Sequence, residues 1–163
     1  MAPLFLSISP HDFLKVGYLV NISRIRVRLD RAHPHAAEYE SSTDTIIVST
    51  LEAGPIAQSY VVHEAVHANF DNRRTQGVYT RYEEEEPFAY IVQMLYLQRR
   101  GLTTMPGAGT GFEAEPIWTA AWPVAQAIRT GTPVTHAAVQ EVKDAWQRLN
   151  LHLGGTVPHN GVR

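Results

Sequence analysis

The chain has 163 residues, of which 44% are hydrophobic and 18% are charged, a composition that fits one folded domain and excludes a disordered charged tail. A formal net charge of −2 leaves no overall basic field for nucleic acid or an anionic membrane, and the absence of cysteine excludes disulfides, thiolate zinc fingers, iron–sulfur clusters and a cysteine nucleophile. Eight histidines therefore make imidazole the natural side-chain ligand for any transition metal.

No targeting or membrane-spanning segment is visible in the sequence. The N-terminal residues MAPLFLSIS contain no basic group, so they make a poor signal peptide. The longest uncharged apolar region, Pro116–Ile128, is too short to cross a bilayer. The sequence does not identify the compartment, so the cytoplasm is only the default, and we expect a single domain over residues 1–163 with neither a membrane nor a nucleic-acid partner.

The first third of the chain predicts one helix and three strands. The expected elements are a helix over 10–20 and strands over 24–30, 38–40 and 45–50. The helix follows from Pro10, which suits a first helical position. Strict alternation over 24–30 predicts a half-buried strand, in which Ile25, Val27 and Leu29 face the core and three arginines face solvent. The last strand is β-branched almost throughout.

The rest of the chain predicts four helices. They are expected over 56–70, 84–100, 117–129 and 135–150. Gly101 is expected to end the second of these helices, Pro123 to bend the third and Thr135 to cap the fourth. The glycines of MPGAGTG over 105–111 lack the spacing of a nucleotide-binding loop. Strands that precede helices predict an α+β domain.

The helix over 56–70 contains the sequence HEAVH, from His63 to His67. Histidines at i and i+4 project from one helix face, at a separation that lets both imidazoles bind one Zn²⁺. Glu64 is rotated by about 100° from His63, so its carboxylate flanks the metal and can take a proton from water bound there. The residues around this motif are largely apolar and predict a buried helix, in which unpaired histidines would be costly.

A third ligand is expected at the start of the next helix, where four glutamates follow one another. Only the stripe of Glu86 continues with polar side chains, Tyr90 and Gln93, into the apolar part of that helix. Such side chains can support metal ligands by hydrogen bonds. Glu86 is therefore the predicted third ligand, with Glu83 and Glu85 as alternatives. At least two of the four glutamates are expected to be solvated residues of the first turn.

This arrangement resembles the gluzincin group of zinc metallopeptidases, in which HExxH is followed by a glutamate that opens the next helix. The family pattern there is Glu-x-x-Ala/Ser-Asp, whereas residues 86–90 of this chain read EPFAY, with tyrosine in place of the aspartate that supports a ligand histidine. The resemblance covers about residues 39–93. It implies a zincin-like sheet whose edge strand, here 45–50, lies beside the cleft. The residues that then take over the aspartate's role are Tyr90 through its hydroxyl, or Gln93, Asn69 or Asp71.

The activity that the resemblance implies is that of a zinc-dependent peptidase acting on peptide or protein substrates. One zinc ion per chain would be held by His63, His67 and Glu86, with Glu64 as the general base. Family members also supply a group that stabilises the oxyanion. The candidates are Tyr79, Tyr82, His152 and His159. Two alternatives stay open: a zinc hydrolase of a non-peptide amide or ester, and a metal-binding regulatory or interaction domain that kept the zincin fold without turnover.

Overall fold

The computed structural model describes residues 10–49, 54–74, 82–111 and 114–153, with the backbone alone at residues 10, 12, 82 and 150–153. Helices and strands are mixed, which confirms the predicted α+β class. In chain order the elements are α1 (Pro10–Asn21), β1 (Arg26–Leu29), β2 (Ala37–Glu40), β3 (Thr45–Val48), α2 (Pro55–Arg74), α3 (Tyr82–Arg99), α4 (Glu115–Thr130) and α5 (His136–Leu153). Within this part of the chain, no helix combines the length and apolarity that crossing a bilayer requires.

The three strands form one sheet in the order β1-β3-β2, so β3 is central. It pairs parallel with β1 and antiparallel with β2, and all four of its residues are buried. The expectation that the strand over 45–50 is the edge beside the cleft is therefore wrong. Its uncharged β-branched residues suit a position covered on both sides, whereas the alternating polar sequence of β2 suits an edge. The edge strand that packs against α2 is β2.

β1 is shorter and more exposed than its alternation predicts. It covers Arg26–Leu29, and Val27 and Leu29 are 54% and 39% exposed instead of buried. Ile25, just before the strand, does enter the core, where it packs with Val16 and Tyr39. Alternation shows which side chains share a face of the strand. Burial also requires a second layer over that face, and Val27 and Leu29 are not covered by any described element.

The helices largely match their predicted spans and extend further at several ends. α2 continues one turn past residue 70 to Arg74, and α4 runs on across Pro123 without interruption. As predicted, α3 ends before Gly101, which has a positive φ of 94° that suits glycine. The hydroxyl of Thr135 accepts a hydrogen bond from the Ala138 amide at 3.2 Å and caps α5, also as predicted.

The hydrophobic core places α2 in the interior of the molecule. One cluster joins α2 to the sheet and α1, a second joins α2 to α3 through Phe70 and Phe88, and the largest joins α3, α4 and α5. The middle of α2, which carries the HExxH motif, therefore lies between the sheet and the other helices. Its flanking apolar residues, such as Val66 and Ala68, are fully buried.

Candidate metal centre

Two helices bring the three predicted ligands together. α2 supplies His63 and His67, and α3 supplies Glu86. The Nε2 atom of His63 lies 3.4 Å from Oε2 of Glu86, and Nε2 of His67 lies 3.3 Å from Oε1 of the same carboxylate. All three ligand atoms lie within 4.8 Å of one another. This group can hold a metal ion, whereas Glu83 is exposed to solvent and Glu85 pairs with Arg74 and lies on the Nδ1 side of His67.

The hydrogen bonds around His63 leave the correct ring nitrogen for a metal. Nδ1 of His63 lies 3.2 Å from Oε1 of Gln93, whose amide group donates to the Ser59 hydroxyl at 3.1 Å. The Ser59 hydroxyl in turn donates to the carbonyl of Ile56 at 2.7 Å, so it can only accept from Gln93. The carbonyl oxygen of Gln93 therefore faces His63 and can accept the hydrogen of Nδ1, so Nε2, which is directed at Glu86, is the nitrogen available to a metal ion.

A buried carboxylate lies near the other ring nitrogen of His67. Its Nδ1 atom lies 3.8 Å from Oε2 of Glu85, which is 1% exposed and forms an ion pair with Arg74. Arg74 also lies 3.4 Å from Asp71. Sequence reasoning ranked Glu85 as an alternative ligand and missed this position. No local signal reveals it, because Arg74 belongs to the last turn of α2 and Glu85 to the first turns of α3.

The charges around His67 and Glu86 favour a positive charge between them, carried by a proton or by a cation. Burial on its own would lower the pKa of His67, but the carboxylates of Glu86 and Glu85 outweigh it and hold that pKa well above its ordinary value. Burial would raise the pKa of Glu86, yet the two histidines hold it well below its usual range. A cation at the same place would interact with these carboxylates as the proton does, so its binding releases that proton.

Glu64, the neighbour of His63 on α2, reaches the edge of the sheet with its side chain. Its carboxylate is half-buried, and Oε2 accepts a hydrogen bond of 2.8 Å from the backbone N–H of Tyr39 in β2. This N–H points away from the neighbouring strand β3, at the free edge of β2. The bond holds the carboxylate of Glu64 at a strand edge, where its negative charge also contributes to the raised pKa of His67.

The side chain of Tyr39 connects this edge to the end of α2. Its hydroxyl lies 3.1 Å from Oδ2 of Asp71 and 3.2 Å from Oδ1 of Asp44. Burial, reinforced by the two carboxylates, raises the pKa of Tyr39 well above its ordinary value, and burial also raises the pKa of Asp71. Through Asp71, Arg74 and Glu85, the strand that holds Glu64 is linked to the ligand His67.

The other predicted site residues have separate outcomes. Gln93 is the alternative that the structure brings to His63, while the ring of Tyr90 lies edge-on to that imidazole at 4.5 Å between centroids. Asn69 is buried, and its amide nitrogen has no hydrogen-bond partner among the described residues. Asp71 contacts Tyr39 and Arg74 as given above. The candidates for stabilising the oxyanion lie outside what the structure describes. Tyr79 and His159 are not among the described residues, and for Tyr82 and His152 only the backbone is described.

Comparison of the chain with protein-family models, with curated proteins and with solved structures finds no match. What this centre does is therefore inferred from its own geometry. The centre consists of two imidazole nitrogens and the carboxylate of Glu86, which converge, and the carboxylate of Glu64 belongs to the same helix as the imidazoles.

Proposed function

We propose that the chain is a zinc-dependent peptidase of the zincin type, in which His63, His67 and Glu86 hold one zinc ion and Glu64 is the general base. The observation that carries the proposal is the convergence of two Nε2 atoms on one carboxylate from a neighbouring helix. Two imidazoles with one carboxylate are a donor set that zinc takes in catalytic sites, where a fourth position stays open. Magnesium and calcium prefer sites made of oxygen ligands alone.

The chemistry assigns a separate task to each of the chain's own residues. Zinc, when bound, supplies the Lewis acidity that makes a water molecule nucleophilic near neutral pH. Glu64 accepts a proton from the attacking water on a carboxylate oxygen and returns it to the leaving nitrogen. The N–H of Tyr39 keeps the Glu64 carboxylate oriented, while Gln93 keeps Nε2 of His63 available as a ligand.

The position of β2 supports a peptide as the substrate class. An edge strand offers backbone N–H and C=O groups to which an extended peptide can add. The outward N–H of Tyr39 is already bonded to Glu64, so a peptide would pair with the remaining groups of that edge, such as the C=O of Tyr39, and would run beside the general base. The same group of ligands and base would also serve a non-peptide amide or ester.

A second candidate, a metal-binding domain of the same fold without turnover, is favoured by one observation. The Glu64 carboxylate accepts a hydrogen bond from the backbone N–H of Tyr39, and this bond stabilises the fold whether or not hydrolysis takes place. The presence of Glu64 alone therefore does not separate a peptidase from a binding domain.

Metal analysis combined with digestion of a mixed peptide library separates these functions. We expect about one zinc per chain in the wild type and in Glu64→Gln, but cleavage by the wild type alone, because an amide cannot act as the base. The exposed Glu141→Gln is the matched control and should cleave normally. Zinc binding without cleavage of any peptide, amide or ester would favour the binding domain. A wild type that stays folded and metal-free when offered zinc would refute the site.

A further inference from the structure

The outer edge of β1 carries backbone groups that no described residue pairs. The amide of Arg26 donates to the carbonyl of Asp44 at 2.8 Å, and that of Asp30 donates to Val48 at 2.9 Å. In a parallel ladder, alternate residues direct both backbone groups toward the same neighbour. Val27 and Leu29 therefore direct their N–H and C=O groups away from β3, on the side of the sheet opposite to β2 and Glu64.

The same two residues expose apolar side chains, at 54% for Val27 and 39% for Leu29. A groove of about 660 Å³ begins at this strand, at Ile25, Val27 and the arginines at positions 26 and 28, and extends across the sheet to Thr45 of β3 and Glu40 of β2. An unpaired strand that presents both backbone groups and apolar side chains can receive another strand. Among the described residues that line this groove, Glu40 is the one acidic side chain, and it is already bonded to the Thr43 hydroxyl.

Positive charge is concentrated on this strand. Residues 24–31 contain four arginines and one aspartate, whereas the rest of the chain has ten basic and fifteen acidic side chains. Arg24, Arg26 and Arg28 are exposed, and none of them forms an ion pair with a described residue. A second copy of β1 laid against this edge would bring arginines against arginines, which is unfavourable. The positive charge of the three arginines therefore favours an acidic partner strand over the β1 strand of a second copy of this chain.

We infer that the outer edge of β1 binds an extended acidic segment of a partner protein, which joins the sheet as a fourth strand. Its backbone pairs with Val27 and Leu29, and because side chains alternate along a strand, every second one meets the arginine face. The recognised segment therefore alternates acidic residues, which lie against Arg24, Arg26 and Arg28, with apolar residues over Val27 and Leu29. This binding is separate from the proposed hydrolysis and does not depend on it.

Amide NMR on the full-length Glu64→Gln protein, which cannot digest the probe by the proposed mechanism, tests this surface. The probe is a blocked seven-residue peptide of alternating Asp and Val, and the matched control peptide carries Lys in place of Asp. We expect the Asp peptide to shift the amide signals of Val27 and Leu29 and to slow their hydrogen exchange. The affinity should fall as salt is raised, since the ion pairs are at the surface.

Charge reversal and backbone blocking give two independent variants. Arg24→Glu with Arg28→Glu should weaken binding of the Asp peptide by about tenfold or more and strengthen binding of the Lys peptide. Reversal of Arg99 and Arg100, exposed at the end of α3, is the control with the same net charge and should leave binding unchanged. Val27→Pro removes an N–H that the sheet does not use, so it should abolish binding without unfolding the protein.

Three results would overturn the inference. The first is equal binding of the Lys and Asp peptides. The second is a set of shifts confined to β2 and α2, which would place the peptide at the metal centre. The third is strong protection of the Val27 and Leu29 amides before any peptide is added, which would mean that another part of the same chain occupies this edge. If Val27→Pro fails to fold, the charge-reversed variant still decides the question.

Discussion

The support given to His63 by Gln93 provides the sharpest test of the metal centre. Gln93 has no solvent exposure, and its two buried hydrogen bonds, to His63 and to Ser59, set which nitrogen of the imidazole carries the hydrogen. Gln93→Leu keeps nearly the same side-chain volume, so no large cavity forms. It removes the acceptor for Nδ1–H and lets the ring rotate or change tautomer.

The size of the effect follows from these contacts. Loss of a hydrogen-bonded support costs about 10- to 100-fold in metal affinity, or about 1.4–2.7 kcal/mol. One buried donor, Nδ1–H of His63, is also left unsatisfied, which costs about 1–3 kcal/mol of folding free energy. Ser59→Ala should have a smaller effect on zinc, below about tenfold, because the Gln93 carbonyl still faces His63.

Competition against a chelating zinc indicator measures the affinity, and chemical denaturation of metal-depleted protein measures the stability. Gln126→Leu, an exposed glutamine of α4 replaced in the same way, is the control and should leave both values unchanged. A zinc affinity of Gln93→Leu within about twofold of the wild type would refute the reasoning that the Gln93 carbonyl positions His63. An equal loss in Gln126→Leu would show that the effect is not local.

Three further predictions concern the ligands and their charges. Glu86→Ala should weaken zinc binding, whereas Glu83→Ala, at an exposed position of the same helix, should not; the reverse result in the indicator assay would mean that the wrong carboxylate was chosen. Arg74→Gln leaves the buried Glu85 carboxylate without its main cation and should cost about 3 kcal/mol in denaturation, with partial recovery when Glu85→Gln is added. The raised pKa of His67 means that its proton stabilises metal-depleted protein fully below about pH 6.5 and that this contribution is lost as the pH rises through the raised value. Since zinc replaces that proton, chelation should lower the Tm by more at pH 8 than at pH 6. The helical circular dichroism signal at 25 °C should be retained after chelation. An equal drop in Tm at both pH values would contradict the coupling between zinc and the proton.

Local periodicity was enough to predict the parts of the site that belong to a single helix. His63 and His67 share a face because of their i, i+4 spacing, whatever surrounds them. The stripe that joins Glu86 to Gln93 follows from the same helical geometry; it indicated Glu86 as a candidate ligand and placed Gln93, with Tyr90, among the side chains that could support a ligand histidine. The ends of α3 and α5, at Gly101 and Thr135, likewise depend on backbone conformation within a few residues.

Contacts between elements were decided by the tertiary structure alone. Alternation placed Val27 and Leu29 on one face of a strand, but whether a layer covers that face depends on how the strand is placed in the sheet. The same limit applies to β3, whose composition indicated a strand but not its central position. Glu85 pairs with Arg74 and lies near His67 because α2 and α3 pack against each other, and a pairing between separate helices leaves no trace in the periodicity of either one.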